Sequence, residues 1–166
     1  MRKAILFDLD DTLLDFHRSE RDAIKKTLSS FGINADDAMM EYYSRVNDSQ
    51  WKLLEKGELT RDQVLTRRFE IFYAGIGRPG IDPDETWRRY EHNLSESWYY
   101  IGGAEELLSE MCRDYELYIV SNGTASVQDG RIAASGIGKY FKDIFISQRI
   151  GFNKPDKRFF DAVFER

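Results

Sequence analysis

The sequence predicts an α/β protein in which a helical segment interrupts a parallel sheet, and two observations favour this fold class. Short apolar runs near both ends of the chain stop abruptly at polar residues, at 4–7, 116–120 and 143–147. Apolar runs of this length, without alternation, are typical of strands that are buried on both faces of a parallel sheet. Between the first two runs, the apolar residues recur with helical spacing.

The same patterns divide the chain into two parts. Residues 1–15 and 100–166 are predicted to form the α/β core, and residues 16–99 are predicted to form an all-helical insertion. A chain of 166 residues is long enough for one domain or for a core with a modest inserted part.

Composition and charge argue against several classes of protein. A hydrophobic content of 42% with 14% aromatic residues supports a packed core. The net charge of −5 argues against binding to nucleic acid polymers or anionic membranes, and no apolar run approaches the roughly 18 residues that span a bilayer. The single cysteine, Cys112, fits a reducing compartment, and no cleavable apolar leader precedes the first strand. We therefore expect a soluble cytoplasmic protein.

The first strand ends at a group of aspartates. Asp8 follows the apolar run directly, and Asp10 and Asp11 come shortly after it. In open α/β sheets the ligand crevice lies at the carboxyl ends of the strands, which is where Asp8 is expected. Carboxylates this close repel one another unless a cation or a proton compensates, so the group indicates a metal site.

Two simpler interpretations of these acids compete with a catalytic one. An acidic turn after a strand is by itself common and structural. A calcium loop would explain the alternation of Asp8, Asp10 and Thr12, but Leu13 stands where its glycine belongs and Ser19 stands where its last Glu belongs. Phosphoryl transfer remains, because one carboxylate can accept a phosphoryl group while a second acid protonates the leaving oxygen.

Four helices joined by short loops are predicted within the insertion. Capping residues and glycines mark their ends. The marks are Gly32 after the first helix, Asp36 or Asp37 before and Gly57 after the second, the Thr60–Gln63 capping box before the third, and Asp82 with Pro83 before the fourth. Successive amphipathic helices of this kind indicate a small bundle.

After the insertion the α/β pattern returns. The predicted elements are a helix from Gly102, a second strand over 116–120 that ends at Ser121, a helix up to Gly136, a third strand over 143–147 and a last helix that begins at Pro155. This order of elements supports a parallel sheet with helical crossovers.

Two further polar groups are candidates for a phosphate site. Ser121 ends the second strand as Asp8 ends the first, so adjacent parallel strands would bring the two side chains close together. The Ser121 hydroxyl and the backbone N–H groups of Asn122 and Gly123, before a helix, suit a phosphate dianion. Lys154, in the turn after the third strand, would neutralise transition-state charge. Alone, each group is more commonly a helix cap or a solvated lysine.

This combination resembles the haloacid dehalogenase-like (HAD) hydrolase superfamily. The stretch DLDDTL at 8–13 is similar to its first motif, and Ser121 and the pair Lys154-Pro155 are similar to its second and third motifs, in the same order. The resemblance covers nearly the whole chain. It implies a hydrolase, in particular a phosphatase, with a Rossmann-like parallel sheet and an inserted helical cap of the C1 type.

The resemblance also implies a mechanism. Asp8 attacks phosphorus and becomes an aspartyl-phosphate, while Asp10 protonates the leaving oxygen and then activates water. Ser121, Asn122 and Lys154 hold the phosphoryl oxygens, and the Asp8 carboxylate and the Asp10 main-chain oxygen bind Mg²⁺. Dehalogenation is disfavoured, because dehalogenases of this superfamily lack a second Asp at the position of Asp10. A mutase is a less favoured alternative.

Several other stretches are most similar to pyrimidine 5′-nucleotidases, which act on nucleoside monophosphates. They are LLDF at 13–16, Trp51 with GELT at 57–60, RFE at 68–70, SNG at 121–123 and Val127-Gln128. The predicted substrate is a small phosphorylated metabolite, in particular a nucleoside 5′-monophosphate. Two alternatives stay open: a phosphatase for phosphoglycolate or sugar phosphates, and a catalytically incompetent remnant that binds a ligand or a partner protein.

One feature of the superfamily has no match in the sequence. Its fourth motif, an acidic pair at the end of the next strand, is absent, because only one helical stretch follows Lys154. This absence predicts weak Mg²⁺ binding and an exposed apolar edge on the strand at 4–7, since the missing strand would lie beside it. We therefore expect a sheet incomplete at its carboxyl-terminal end, in a truncated phosphatase whose free edge is covered by another segment or a second chain.

Overall fold

A three-stranded parallel sheet forms the centre of the α/β part of the protein, in this computed structural model that describes residues 3–165. The strands are β1 (Ala4–Phe7), β2 (Glu116–Ser121) and β3 (Asp143–Ile146), in the order β1-β2-β3. Both pairings are parallel, and Phe7 lies opposite Ile119. Asp8 and Ser121 therefore lie at the same, carboxyl-terminal edge of the sheet. The predicted α/β fold class is confirmed.

Helices make up most of the remaining structure. In chain order they are α1 (Phe16–Ser30), α2 (Asp37–Glu55), α3 (Arg61–Gly75), α4 (Pro83–Ser95), α5 (Ala104–Met111), α6 (Ala125–Ser135), α7 (Ser147–Ile150) and α8 (Lys157–Phe164), with a short 3-10 helix at Ile137–Tyr140. None of the helices in the described part of the chain is long and apolar enough to cross a membrane.

Apolar side chains from both faces of β2 hold the sheet between helices. Successive residues of a strand point to opposite faces, so Leu117 and Ile119 share one face and Val120 lies on the other. The first face packs in a buried cluster with Leu108 of α5. The second face packs with Phe159 of α8. Burial on both faces fixes the position of β2, and with it the position of the strand's polar end.

β1 is less buried than its apolar sequence predicts. Ile5, Leu6 and Phe7 are half-buried and Ala4 is exposed. The reason is position, because β1 lies at the edge of the sheet and, within residues 3–165, pairs with β2 alone. The expectation that this strand is buried on both faces is therefore wrong for the described part of the chain.

The chain forms two compact units. The sheet unit comprises the chain up to Ser19 and again from Ser95, and the helical unit comprises Glu20–Leu94. The helical unit has its own aromatic core, in which the Tyr43 ring packs against the rings of Phe69 and Tyr90 at centroid distances of 5.4 and 5.5 Å. The insertion predicted at 16–99 encloses this unit.

The predicted helix caps agree with the structure in the helical unit and differ near the carboxyl terminus. Asp36 caps α2 by accepting a hydrogen bond from the Met39 N–H, and Thr60 forms the predicted capping box of α3. In contrast, Pro155 is not the first residue of α8, because Asp156 caps that helix. A proline fits the first helical turn, but an Asp that can accept from the backbone makes the better cap.

Candidate active site

The turn after β1 is built on buried leucines. Leu9, Leu13 and Leu14 are at most 1% exposed, and the Leu13 and Leu14 N–H groups both donate to the Leu9 carbonyl at 3.0 Å. Asp11 adopts the left-handed conformation, with φ of 56°, which Asp tolerates better than most residues. With the leucines anchored in the core, the Asp8 side chain stays accessible at 48% exposure.

The predicted nucleophile and the predicted lysine are in direct contact. Lys154 Nζ lies 2.8 Å from Asp8 Oδ1 and also donates to the Val120 carbonyl at 2.9 Å. The Leu9 N–H donates to the same Asp8 oxygen at 2.8 Å. Oδ1 therefore carries both contacts, whereas Oδ2 receives no hydrogen bond from residues 3–165. This leaves one carboxylate oxygen of Asp8 available to react.

Asn122 fixes the loop that carries Lys154. Its side-chain Nδ2 donates to the Lys154 carbonyl at 2.9 Å, and its Oδ1 accepts from the Lys154 N–H at 2.8 Å. The sequence analysis predicts that Asn122 binds phosphate. In the structure its amide is committed to the lysine backbone, so a phosphate contact would come from its main-chain N–H, which stays a prediction.

Ser121 is buried at the tip of β2, with 1% exposure. Its Oγ accepts a hydrogen bond from the Gly123 N–H at 3.1 Å. The sequence predicts that this N–H faces a phosphate. In the structure it donates to the Ser121 hydroxyl instead, because a serine hydroxyl readily closes a local turn with the N–H two residues on.

Asp10 is held by two residues that the sequence did not single out for a role at the site. Its Oδ2 accepts from Gln128 Nε2 at 2.7 Å, and its Oδ1 accepts a short hydrogen bond from Arg131 Nη1. Gln128 Nε2 also donates to Ser121 Oγ at 2.8 Å. Gln128 and Arg131 are 1% and 0% exposed, respectively. Asp10 and Ser121 are thereby joined through one amide.

The third aspartate of the group has a structural role. Asp11 Oδ1 accepts from the Phe16 N–H at 2.9 Å and from the His17 N–H at 3.4 Å, so Asp11 caps the amino terminus of α1. A carboxylate at this end of a helix also complements the helix dipole.

The acids at the tip of β1 offer a modest set of cation ligands. No group of three or more His, Cys, Asp and Glu side chains in the described part of the chain is arranged to hold a metal ion. Mg²⁺ is commonly bound by one or two carboxylates together with substrate phosphates and water. The Asp8 carboxylate suits this mode. The Asp10 carboxylate is engaged by Gln128 and Arg131, which leaves its main-chain oxygen as the second donor.

Comparisons with known proteins bear on this arrangement. A family described as haloacid dehalogenase-like hydrolase matches residues 5–166. A protein named as HAD-hydrolase YfnB of Bacillus subtilis is 37% identical over 166 residues, which are 99% of this chain and 69% of that protein. Pyrimidine 5′-nucleotidase PynA of Streptococcus pneumoniae is 35% identical over 162 residues, which are 97% of this chain and 68% of that protein. The crystal structure of YfnB bound to magnesium matches with a TM-score of 0.94 and 36% identity, covering 99% of this chain and 74% of that chain.

Proposed function

This chain belongs to the haloacid dehalogenase-like hydrolase family, and we propose that it hydrolyses phosphomonoesters of small metabolites. The observation that carries the proposal is the contact between Asp8 and Lys154 at the tip of β1, at 2.8 Å. The Asp8 carboxylate, which we propose as the nucleophile, thus lies beside a positive charge at the same sheet edge as Ser121. Nucleophilic attack on a phosphoryl group needs this combination, because charge on the phosphoryl oxygens must be balanced as the bond forms.

Asp8 would act through its Oδ2. The Leu9 N–H and Lys154 Nζ hold Oδ1, so the carboxylate is fixed in orientation and the second oxygen is left for the reacting group. In-line attack of Oδ2 on phosphorus forms an aspartyl-phosphate and expels the alcohol of the substrate. Orientation of the nucleophile before the reaction lowers the entropic part of the barrier.

Asp10 would serve as the acid and then as the base. It would protonate the leaving alkoxide and later take a proton from the water that hydrolyses the aspartyl-phosphate. Ser121, Lys154 and the Asn122 N–H would hold the phosphoryl oxygens. The Asp8 carboxylate and the Asp10 main-chain oxygen would hold Mg²⁺, which, when bound, supplies positive charge to the phosphoryl group and aligns it.

The proposed substrate class is the nucleoside 5′-monophosphates. Support comes from the 35% identity to a protein named pyrimidine 5′-nucleotidase and from the similar stretches outside the motifs. The single cysteine, Cys112, is free, which suits a reducing compartment, so a cytoplasmic site of action is part of the proposal.

A panel assay tests the proposed function. Phosphate release is measured with Mg²⁺ on nucleoside monophosphates, phosphoglycolate and sugar phosphates, for the wild type and for Asp8→Asn. We expect the highest kcat/KM on a pyrimidine nucleoside monophosphate, and a loss of more than about a thousandfold in the variant, as when other catalytic nucleophiles are removed. Preference for phosphoglycolate would show that nucleoside monophosphates are not the substrate class. Absence of phosphate release across the panel would favour an inactive ligand-binding protein.

We further propose that the outer edge of β1 is covered by another segment or by a second chain. Within residues 3–165 no strand pairs with the outer edge of β1, and a half-buried apolar strand with such an edge is prone to association. Hydrogen exchange at Ala4 and Leu6, together with sedimentation, tests this, because the Lys3 carbonyl accepts from the Glu116 N–H and alternate residues of β1 therefore face away from β2. Protected amides in a dimer support a second chain, and protected amides in a monomer support another segment. Fast exchange would contradict both.

A further inference from the structure

The Gln128 side chain connects Asp10, in the turn after β1, with Ser121, at the end of β2. Its Nε2 lies 2.7 Å from Asp10 Oδ2 and 2.8 Å from Ser121 Oγ, and its Oε1 accepts from Arg131 Nη1 at 3.1 Å. All three polar contacts lie inside the sheet unit. Gln128 and Arg131 stand three residues apart on α6, so they share one face of that helix.

Arg131 determines which way the Gln128 amide points. An arginine can only donate hydrogen bonds, so the group of Gln128 that faces it must be the oxygen. Arg131 is itself fixed, because it is fully buried, donates from Nε to the Ser97 carbonyl at 3.3 Å and lies 5.7 Å from the centre of the Phe16 ring. The amide nitrogen is therefore directed to Asp10 and Ser121, and each of these can receive one of its two protons.

This orientation decides where the Ser121 proton can go. A serine hydroxyl has two lone pairs and one proton. The Gly123 N–H and Gln128 Nε2 both donate to Ser121 Oγ, at 3.1 and 2.8 Å. With both lone pairs engaged, the hydroxyl can only donate its own proton to a third partner. At the sheet edge that holds Asp8 and Lys154, a phosphoryl oxygen is an acceptor of the required kind.

Gly123 provides the space that Gln128 occupies. A Cβ atom at Gly123 would lie 2.4 Å from Gln128 Nε2, a distance at which one of the two side chains must move. The close packing of the strand-to-helix turn against α6 therefore depends on a glycine at this position.

We propose that Gln128 is a positioning residue that makes the Ser121 hydroxyl a hydrogen-bond donor to the phosphoryl group of the ligand and holds the Asp10 carboxylate beside it. Arg131 supports this role by fixing the orientation of the Gln128 amide. The inference rests on the proposed function for its reaction, but the orientation of Ser121 applies to any phosphate-bearing ligand. Gln128 is proposed to contact neither phosphorus nor the oxygens bonded to it, and to act through Ser121 and Asp10.

The test is a double-mutant cycle on the affinity for inorganic phosphate, measured by calorimetry with Mg²⁺. Gln128→Leu keeps the size and removes both amide protons, and Ser121→Ala removes the hydroxyl. Each single variant is expected to weaken phosphate binding about tenfold, as for loss of a hydrogen bond to a charged group. Because both changes remove the same interaction, the double variant should also be weakened about tenfold and not about a hundredfold.

A second variant and a control keep the cycle interpretable. Gln128→Met also keeps the size and removes both amide protons without adding a charge beside Asp10, so it should weaken phosphate binding as Gln128→Leu does. Asp129→Asn changes the next residue of α6, whose side chain is 51% exposed, and should leave phosphate affinity unchanged.

The outcomes separate this inference from the proposed function. Unchanged phosphate affinity in Gln128→Leu, or additive losses of affinity in the double variant, overturns the inference about Gln128. The proposed function still stands in that case if the wild type hydrolyses a phosphomonoester. Phosphate binding that shows the expected coupling, in a chain without turnover, supports the inference and removes the hydrolase. A wild type that neither binds phosphate nor releases it overturns both.

Discussion

Each unit contains a buried arginine. The two side chains have similar immediate surroundings, but their hydrogen-bond networks end at different places in the molecule. Arg131 and Arg68 are 0% and 2% exposed, and in both the Nη2 atom makes no hydrogen bond with any residue of 3–165. Both guanidinium groups also lie near aromatic rings, Arg131 near Phe16 and Arg68 near Tyr90 at 4.9 Å. Their neighbours differ, and the difference separates a candidate reactive site from a structural core.

The network of Arg131 reaches the surface. Through Gln128 and directly it holds the carboxylate of Asp10, whose side chain is 28% exposed. The exposed end of this network lies in the turn that also carries Asp8. A buried positive charge that holds a partly exposed acid suits a site in which that acid must meet a ligand.

The centre of the Arg68 network is buried, and its outer members, Ser44 and Trp51, are half-buried. Arg68 donates to Asn47 Oδ1 at 3.0 Å, and Asn47 donates to Glu20 Oε1 at 2.6 Å, with Asn47 and Glu20 at most 3% exposed. Burial also raises the pKa of the neighbouring Tyr43 and Tyr90 hydroxyls above their ordinary range. These groups are surrounded by the aromatic core of the helical unit. We expect these groups to select one packing of α1, α2 and α3.

Arg68→Met should cause the largest change in stability. It removes two hydrogen bonds and a positive charge from a buried cluster that contains the Glu20 carboxylate, which should lower the free energy of unfolding by about 3 kcal/mol. Urea titration measures the change, and the folded variant should keep kcat/KM within about twofold, well under the tenfold that corresponds to about 1.4 kcal/mol. A stable Arg68→Met protein with lost activity would place the helical-unit network in the reaction and end the contrast.

Arg131→Met should act mainly on the reaction. Without the guanidinium the Gln128 amide is free to rotate and Asp10 loses a direct partner, so kcat should fall about a hundredfold, or about 2.7 kcal/mol in the barrier. Arg149→Met is the matched control, because Arg149 pairs with Asp129 of α6 and is half exposed. Steady-state kinetics on the best substrate distinguishes them, and an equal fall in both variants would remove the special role of Arg131.

A pair of glycine substitutions sharpens the same contrast on a smaller scale. A Cβ at Gly123 would meet Gln128 Nε2 at 2.4 Å, and a Cβ at Gly75 would meet Tyr42 OH at 2.2 Å. We expect Gly123→Ala to lower kcat/KM about tenfold with little loss of stability, since it displaces Gln128. Gly75→Ala should lower the free energy of unfolding by about 1–2 kcal/mol without affecting kcat/KM, because overpacking shifts Tyr42. The reversed pattern would mean that the two crowded contacts do not differ in function.

The features that the sequence predicts well are local ones. The strand ends at Asp8 and Ser121 follow from apolar runs that stop at polar residues, and the start of α3 follows from the spacing of Thr60 and Gln63. Each of these signals needs only a few neighbouring residues. Local signals predict full burial of β1, and its exposed edge was predicted only through the resemblance, from the absence of the fourth motif.

The contacts of Gln128 and Arg131 with Asp10 could not be predicted from neighbouring residues in the sequence. Polar residues on an amphipathic helix usually face solvent, and nothing near them in the sequence indicates that Asp10, more than a hundred residues earlier, is their partner. Two signals were present. Val127-Gln128 is one of the stretches similar to pyrimidine 5′-nucleotidases. Gly130 lies between Gln128 and Arg131 in mid-helix, where a Cβ would meet the Ser95 carbonyl at 2.9 Å, and a glycine at such a position indicates close packing.

The proposed reaction depends on attack of the Asp8 carboxylate on phosphorus. The intermediate of this attack can be trapped by acid quenching of the protein during turnover of a nucleoside monophosphate labelled with radioactive phosphate, followed by peptide mapping. We expect acid-stable, base-labile label on the peptide that contains Asp8 and none in Asp8→Asn. Turnover that proceeds with no labelled protein, at the same rate in Asp8→Asn as in the wild type, would rule out this attack.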